Sequence, residues 1–193
     1  MKELLVSTAV APVVAGFAPA LRRLYFVRFA FAIVWAALLL LTGGSIGAVT
    51  AVLVVLYPLV DVAAAVVDAR ASTSDSTVSV PRGLYLNIAI SVLAAIGLVV
   101  ALTSGVPAVL RVWGAWAVVA GVIQLVVGIS RRALGGQWPM MLSGGISVFA
   151  GTGFFLMAAG PEPTLVNVAG YAALGGIFFL ASALRLGRSA QVN

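Results

Sequence analysis

Between Arg111 and Arg188 the chain carries three long apolar runs separated only by the short loops ALGGQWP and AGPEPTL. An α-helix needs about 20 consecutive apolar residues to cross the hydrocarbon core of a bilayer. Each run meets that length, and the first half of the chain repeats the plan. Transmembrane β-strands alternate apolar and polar residues over about ten positions, and these runs are continuously apolar. Of the 193 residues, 63% are apolar and only 8% charged, whereas a soluble domain is about a quarter charged. The chain has too few polar side chains to face water over most of its surface. The fold class expected is all-α and integral to the membrane, with six transmembrane helices as three tandem helical hairpins.

Taken in order, residues 1–21 are moderately apolar but broken by Pro12 and Pro19. They read as an uncleaved segment at the membrane interface. The alternative is a signal peptide cleaved near Ala20, which would leave Arg22 and Arg23 at a new N-terminus. Helix 1 is predicted over about Leu24–Thr42 and ends in the turn Gly43-Gly44-Ser45-Ile46-Gly47. Helix 2 covers about Ala48–Val67, followed by the one clearly hydrophilic loop, 71–82. Helices 3 and 4 cover about Gly83–Thr103 and Ala108–Ile129, joined by Ser104-Gly105-Val106-Pro107. Helices 5 and 6 cover about Trp138–Ala159 and Thr164–Leu184. Residues 22–188 form a single six-helix domain with repeat units about 22–70, 82–132 and 138–188, and 189–193 are a tail. The even helices align through an aromatic residue and a terminal arginine: Tyr57 with Arg70, Trp116 with Arg131, Tyr171 with Arg185.

The formal charge is +6. In a soluble protein that excess suggests nucleic acid, but here it sits at helix ends and no basic domain exists to bind a polyanion. Arg22, Arg23, Arg70, Arg82, Arg131, Arg132, Arg185 and Arg188 fall on one side of the predicted topology, against Arg111 on the other. Cytoplasmic loops are enriched in such residues, so both termini are expected in the cytoplasm. Cysteine and histidine are absent. No phosphate-binding loop, metal-ligand spacing or nucleophile elbow is present. The expectation is a non-enzymatic protein with no cofactor and no metal, whose constant partner is the lipid bilayer.

Four residues break the apolar pattern. Arg28 and Asp61 lie inside helices 1 and 2, and an intramembrane charge costs at least about 2.5–3.5 kcal/mol unless paired or hydrated. Their depths differ by only a few Å in an antiparallel hairpin, which predicts a salt bridge. The competing reading has Arg28 snorkelling to the interface while Asp61 faces a hydrated cavity. Asn87 and Gln124 are the other deep polar groups. They read either as interhelical hydrogen-bonding residues or, with Arg28 and Asp61, as a polar cluster able to hold a proton, an ion or a small solute. Pro58, one turn before Asp61, should kink helix 2.

Small residues recur at helical spacing: Ser143, Ser147 and Gly151 on helix 5, Gly114, Gly121 and Gly128 on helix 4, Ala172 and Gly176 on helix 6. Such spacing lets membrane helices approach closely. Trp113, Trp116 and Trp138, with Tyr25, Tyr85 and Tyr171, lie towards helix ends and read as interfacial anchors. Trp35 is deeper and is expected to pack.

The pattern WGAWAVVAGVIQLVVGISRR, GGQWPMMLSGGISVFAGTGFFL and AGYAALGGIFFLASALRLGR resembles the HdeD family of bacterial inner-membrane proteins. The resemblance covers about residues 22–188 and is clearest in 111–188. It implies three tandem two-helix repeats, a place in the bacterial inner membrane, and a role in envelope or acid stress. The alternative is a small transporter or channel for protons or a small solute, using the polar cluster around Asp61 and Arg28. Three hairpins either close into a compact bundle or leave a face for a homo-oligomer, and the ligand, if any, is not specified by the residues.

Overall fold

The computed structural model describes residues 11–73, 82–130 and 138–189. Six α-helices run in order: α1 (Ala11–Thr42), α2 (Ala48–Thr73), α3 (Arg82–Ala101), α4 (Val106–Ser130), α5 (Trp138–Ala158) and α6 (Val166–Ser189), with a 3-10 turn at Leu102–Ser104 before α4. No strand occurs among the described residues. All six helices are long and apolar enough to cross a membrane, the architecture of a multi-pass membrane protein. At most a third of the residues of each spanning window are buried inside the protein. Leu41, Leu93, Phe149 and Leu156 stand exposed on the outer surface. Such a surface is unfavourable in water and costs nothing against lipid tails.

The largest difference from the expected boundaries is at α1; α2 and α6 also run on, to Thr73 and Ser189 in place of Val67 and Leu184. α1 begins at Ala11, not near Leu24, and carries Pro19 in its interior. Proline's fixed φ is compatible with a helix, at the loss of one hydrogen bond. Residues 11–21 are therefore continuous with the first span, and residues 1–10 of the expected interfacial segment lie outside the described residues. Residues 74–81 and 131–137 also lie outside them, and with these most of the hydrophilic loop, Arg131 and Arg132.

The helices form a closed series with one weak joint. α4 packs along α5 and α1 along α6, these being the most extensive contacts; α2 meets α3, α3 meets α4 and α1 meets α2. α5 and α6 are consecutive in the chain yet barely touch. The tightest packing thus lies between the repeat units more than within them.

Glycine explains the closest joint. A Cβ at Gly121 would lie 2.6 Å from the Gly144 carbonyl oxygen, and one at Gly144 would lie 2.8 Å from that of Gly121. Gly114 and Gly151 form a second reciprocal pair, with approaches of 2.7 and 2.6 Å. The pairs are seven residues apart on each helix, so the small-residue stripes of α4 and α5 meet along one seam. On α6, Gly176 faces Ala32 of α1, where a Cβ would lie 3.1 Å from the Ala32 methyl group.

The end of the bundle opposite Arg70 and Arg185 is closed by direct contacts between turns. The Gly43 carbonyl accepts hydrogen bonds from the Leu165 N–H (3.1 Å) and the Thr164 hydroxyl (3.3 Å). Below these turns lies the core, with Leu39, Val54, Leu98, Leu110, Leu165 and Val168 fully buried. Its inner layer is aromatic. Trp35 stands 4.7 Å from Tyr57 and 5.6 Å from Trp113, and Trp113 stands 5.1 Å from Trp116, between ring centroids. The Trp35 Nε1 donates to the Leu53 carbonyl at 2.7 Å. Trp35 packs as expected. Trp113 does not sit at an interface: α4 begins at Val106, so Trp113 enters about two turns deep and is fully buried.

Candidate functional site: a polar cavity inside the bundle

Beneath the aromatic layer the six helices surround a cavity of about 170 Å³, the volume of about six waters at liquid density. Every helix contributes to its wall: Arg28 from α1, Asp61 from α2, Asn87 from α3, Gln124 from α4, Ser147 from α5 and Tyr171 from α6. The cavity therefore lies on the axis of the bundle. Tyr57, Trp116 and Tyr171, the three aromatics aligned by the internal repeat, all line it.

Arg28 and Asp61 form the expected salt bridge, from the guanidinium Nη2 to the carboxylate Oδ1. The geometry also explains how a charge pair survives there. Asp61 lies nine residues before Arg70 along α2, a rise of about 13 Å from that arginine. Its second carboxylate oxygen, Oδ2, accepts from the Asn87 amide at 2.7 Å and from the Ser91 hydroxyl at 2.9 Å. The Arg28 guanidinium lies over the Phe179 ring, 4.0 Å from its centroid, where the ring's negative face adds a favourable interaction. Both side chains are mostly but not fully buried, at 21% exposure for Arg28 and 12% for Asp61. The pair is net neutral, and α1, α2, α3 and α6 all hold it.

Gln124 lines the same cavity but does not join the Asp61 network. Its Oε1 is buried without a hydrogen-bond partner. A buried amide oxygen left unpaired costs about 1–3 kcal/mol, and a donor brought into the cavity would recover it. Of the four residues singled out in the sequence, three are bonded to one another and the fourth shares their cavity.

Other members of the site were not singled out as polar centres. Ser91 lies four residues after Asn87, on the same helical face, so its place beside Asp61 was legible in the spacing. Trp116, read as an interfacial anchor, instead donates from Nε1 to the Ser91 hydroxyl at 3.3 Å. Tyr171, also read as an anchor, shares a hydrogen bond of 2.9 Å with Ser147. Ser147 thus serves twice: its Cβ packs into the α4–α5 seam beside Gly121, and its hydroxyl reaches α6. Among the described residues, no group of three or more acidic, histidine or cysteine side chains is placed to hold a metal ion.

Comparisons with protein-family models, with curated proteins and with solved structures found no match to the chain. The arrangement of the cavity is therefore the basis for any assignment.

Proposed function

We propose that this multi-pass protein binds a small polar solute in its axial cavity and acts as a small transporter, with Asp61 and Arg28 holding the site and Gln124 meeting the ligand. The observation that carries this reading is the convergence of all six helices on one polar cavity in an otherwise apolar bundle. A structural salt bridge needs two helices; it does not need a cavity with an unpaired amide oxygen in its wall. The aromatic layer closes the site on the far side, which favours stepwise access over an open channel. Internal repeats are a common framework for such carriers. The arginine-rich end faces the cytoplasm, by the positive-inside tendency, and the host membrane is the bacterial inner membrane.

A second reading has one observation in its favour. Both Asp61 oxygens accept from protein donors, as they would in a purely structural knot. The protein would then be an HdeD-type scaffold of envelope or acid stress, with no flux of its own.

Liposomes containing the purified protein separate the two readings. Flux of small polar solutes and of protons is measured against empty liposomes, with Asp61→Asn and Gln124→Leu as variants. The transporter reading expects flux above background, lost in Asp61→Asn and reduced in Gln124→Leu. Gln124→Leu breaks no protein hydrogen bond through Oε1, so it tests the site without dismantling the ion pair. Absence of flux in the wild type would leave the scaffold reading in place.

A further inference from the structure

The weak joint between α5 and α6 opens a groove of about 1050 Å³ on the membrane-facing side of the bundle. It runs from Trp138 and Arg185 at the basic end towards Asn167 at the other, and its wall between is almost entirely apolar. Ile146, Tyr171, Leu174 and Phe178 line both this groove and the axial cavity. These four residues form a wall that the two spaces share. Tyr171 bonds to Ser147 and packs edge-on against Phe154, with ring centroids 5.8 Å apart.

Glycine again marks the geometry, with the opposite meaning to that at the α4–α5 seam. Gly145 on α5 and Gly170 on α6 line the groove. A Cβ at either would meet nothing within 4 Å. These glycines leave space open instead of allowing two helices to touch.

We infer that the cavity is loaded sideways from the membrane, and that its ligand is a single-chain amphipath whose hydrocarbon tail lies in the α5–α6 groove and whose small head enters the axial cavity. This rests on the reading of the cavity as a ligand site, and replaces the free polar solute of that reading with the polar head of an amphipath. The groove matches a tail because it is long, apolar and open to lipid. The cavity matches a head of limited size that both donates and accepts hydrogen bonds: Gln124 Oε1 needs a donor, and the Arg28 guanidinium has N–H groups beyond the one on Asp61. A protonated carboxyl or a glyceryl group has this chemistry and fits the volume, whereas a bulky phosphodiester head does not. Fatty acids and monoacylglycerols share it.

The test uses the full chain in nanodiscs with a long-chain fatty acid carrying a photoreactive diazirine on its tail. Crosslinks are mapped by peptide. The expected result is saturable labelling of α5 and α6, competed by unlabelled ligand. Gly145→Trp, which fills open space, should abolish it. Gln124→Leu should weaken it about fivefold, the loss of one buried hydrogen bond. Competition by fatty acid alone identifies a carboxyl head, and equal competition by monoacylglycerol identifies the shared hydroxyl chemistry; either supports the inference. Labelling that does not saturate and persists in Gly145→Trp is bulk lipid contact and overturns it. Labelling lost in Gly145→Trp but unchanged in Gln124→Leu places the head outside the cavity and also overturns it. Solute flux without saturable labelling overturns the lateral route and leaves the cavity reading standing, whereas absence of both overturns both.

Discussion

Removing either partner of the Arg28–Asp61 pair should destabilise the bundle at least as much as removing both. In Asp61→Leu, the Arg28 guanidinium keeps the Phe179 ring and the more distant charge of Asp68, and Asn87 and Ser91 lose their acceptor. Breaking a buried pair on one side costs about 3–5 kcal/mol. Arg28 is one-fifth exposed, and its long stem can carry the charge towards the basic end, so the lower figure, about 3 kcal/mol, applies. Arg28→Met leaves the Asp61 carboxylate with two neutral donors and no counter-charge, again about 3 kcal/mol by the same reasoning. The double variant retains no charge, and its cost is the unpairing of Asn87 and Ser91, about 1–3 kcal/mol. Independent effects would sum to about 6 kcal/mol, so the cycle should return a coupling of about 3–5 kcal/mol. Reversible unfolding in SDS, followed by tryptophan fluorescence, measures all four proteins. A double variant as costly as the sum of the singles would refute the pairing as an energetic unit.

Two further outcomes follow from the packing, read by the same unfolding assay. Gly151→Val should cost about 1–3 kcal/mol by overpacking, because a Cβ there would lie 2.6 Å from the Gly114 carbonyl oxygen and 2.8 Å from the Val118 side chain. Gly145→Ala, six residues away on the same helix, should be neutral or stabilise by up to about 1 kcal/mol, since its Cβ meets nothing; equal costs at the two positions would contradict the assigned faces of α5.

The six spans were legible because crossing a bilayer imposes a length that few other structures share. The polar cluster was legible for a related reason: in an apolar helix each polar residue stands out, and its cost demands a partner. Arg28 and Asp61 found one another as depth and reach implied, and Asn87 joined them as a member of the polar cluster. The order of packing was not legible. Lipid tails are as apolar as leucine, so no hydrophobic gradient separates the face of α5 that meets α4 from the face that looks onto the groove. Gly144 and Gly145 are adjacent in the sequence and have opposite roles in the fold. Trp113 and Trp116 were misread because tryptophan near a helix end has two destinations, the interface or the core. Only the start of α4 and its neighbours decide between them.

The account rests on the axial cavity being wet and reachable from water while the outer surface of the same helices is not. The chain has no cysteine, so one introduced thiol reports alone. Ser143→Cys places it in the cavity wall, and Leu156→Cys places it on an exposed position further along α5. Both variants are reconstituted into liposomes and treated with a small, charged, water-soluble thiol reagent. The account expects modification at position 143, slowed by a ligand that fills the cavity, and none at position 156. A position 143 as inert as position 156 would mean a dry, closed interior and would contradict the assignment of a ligand site there.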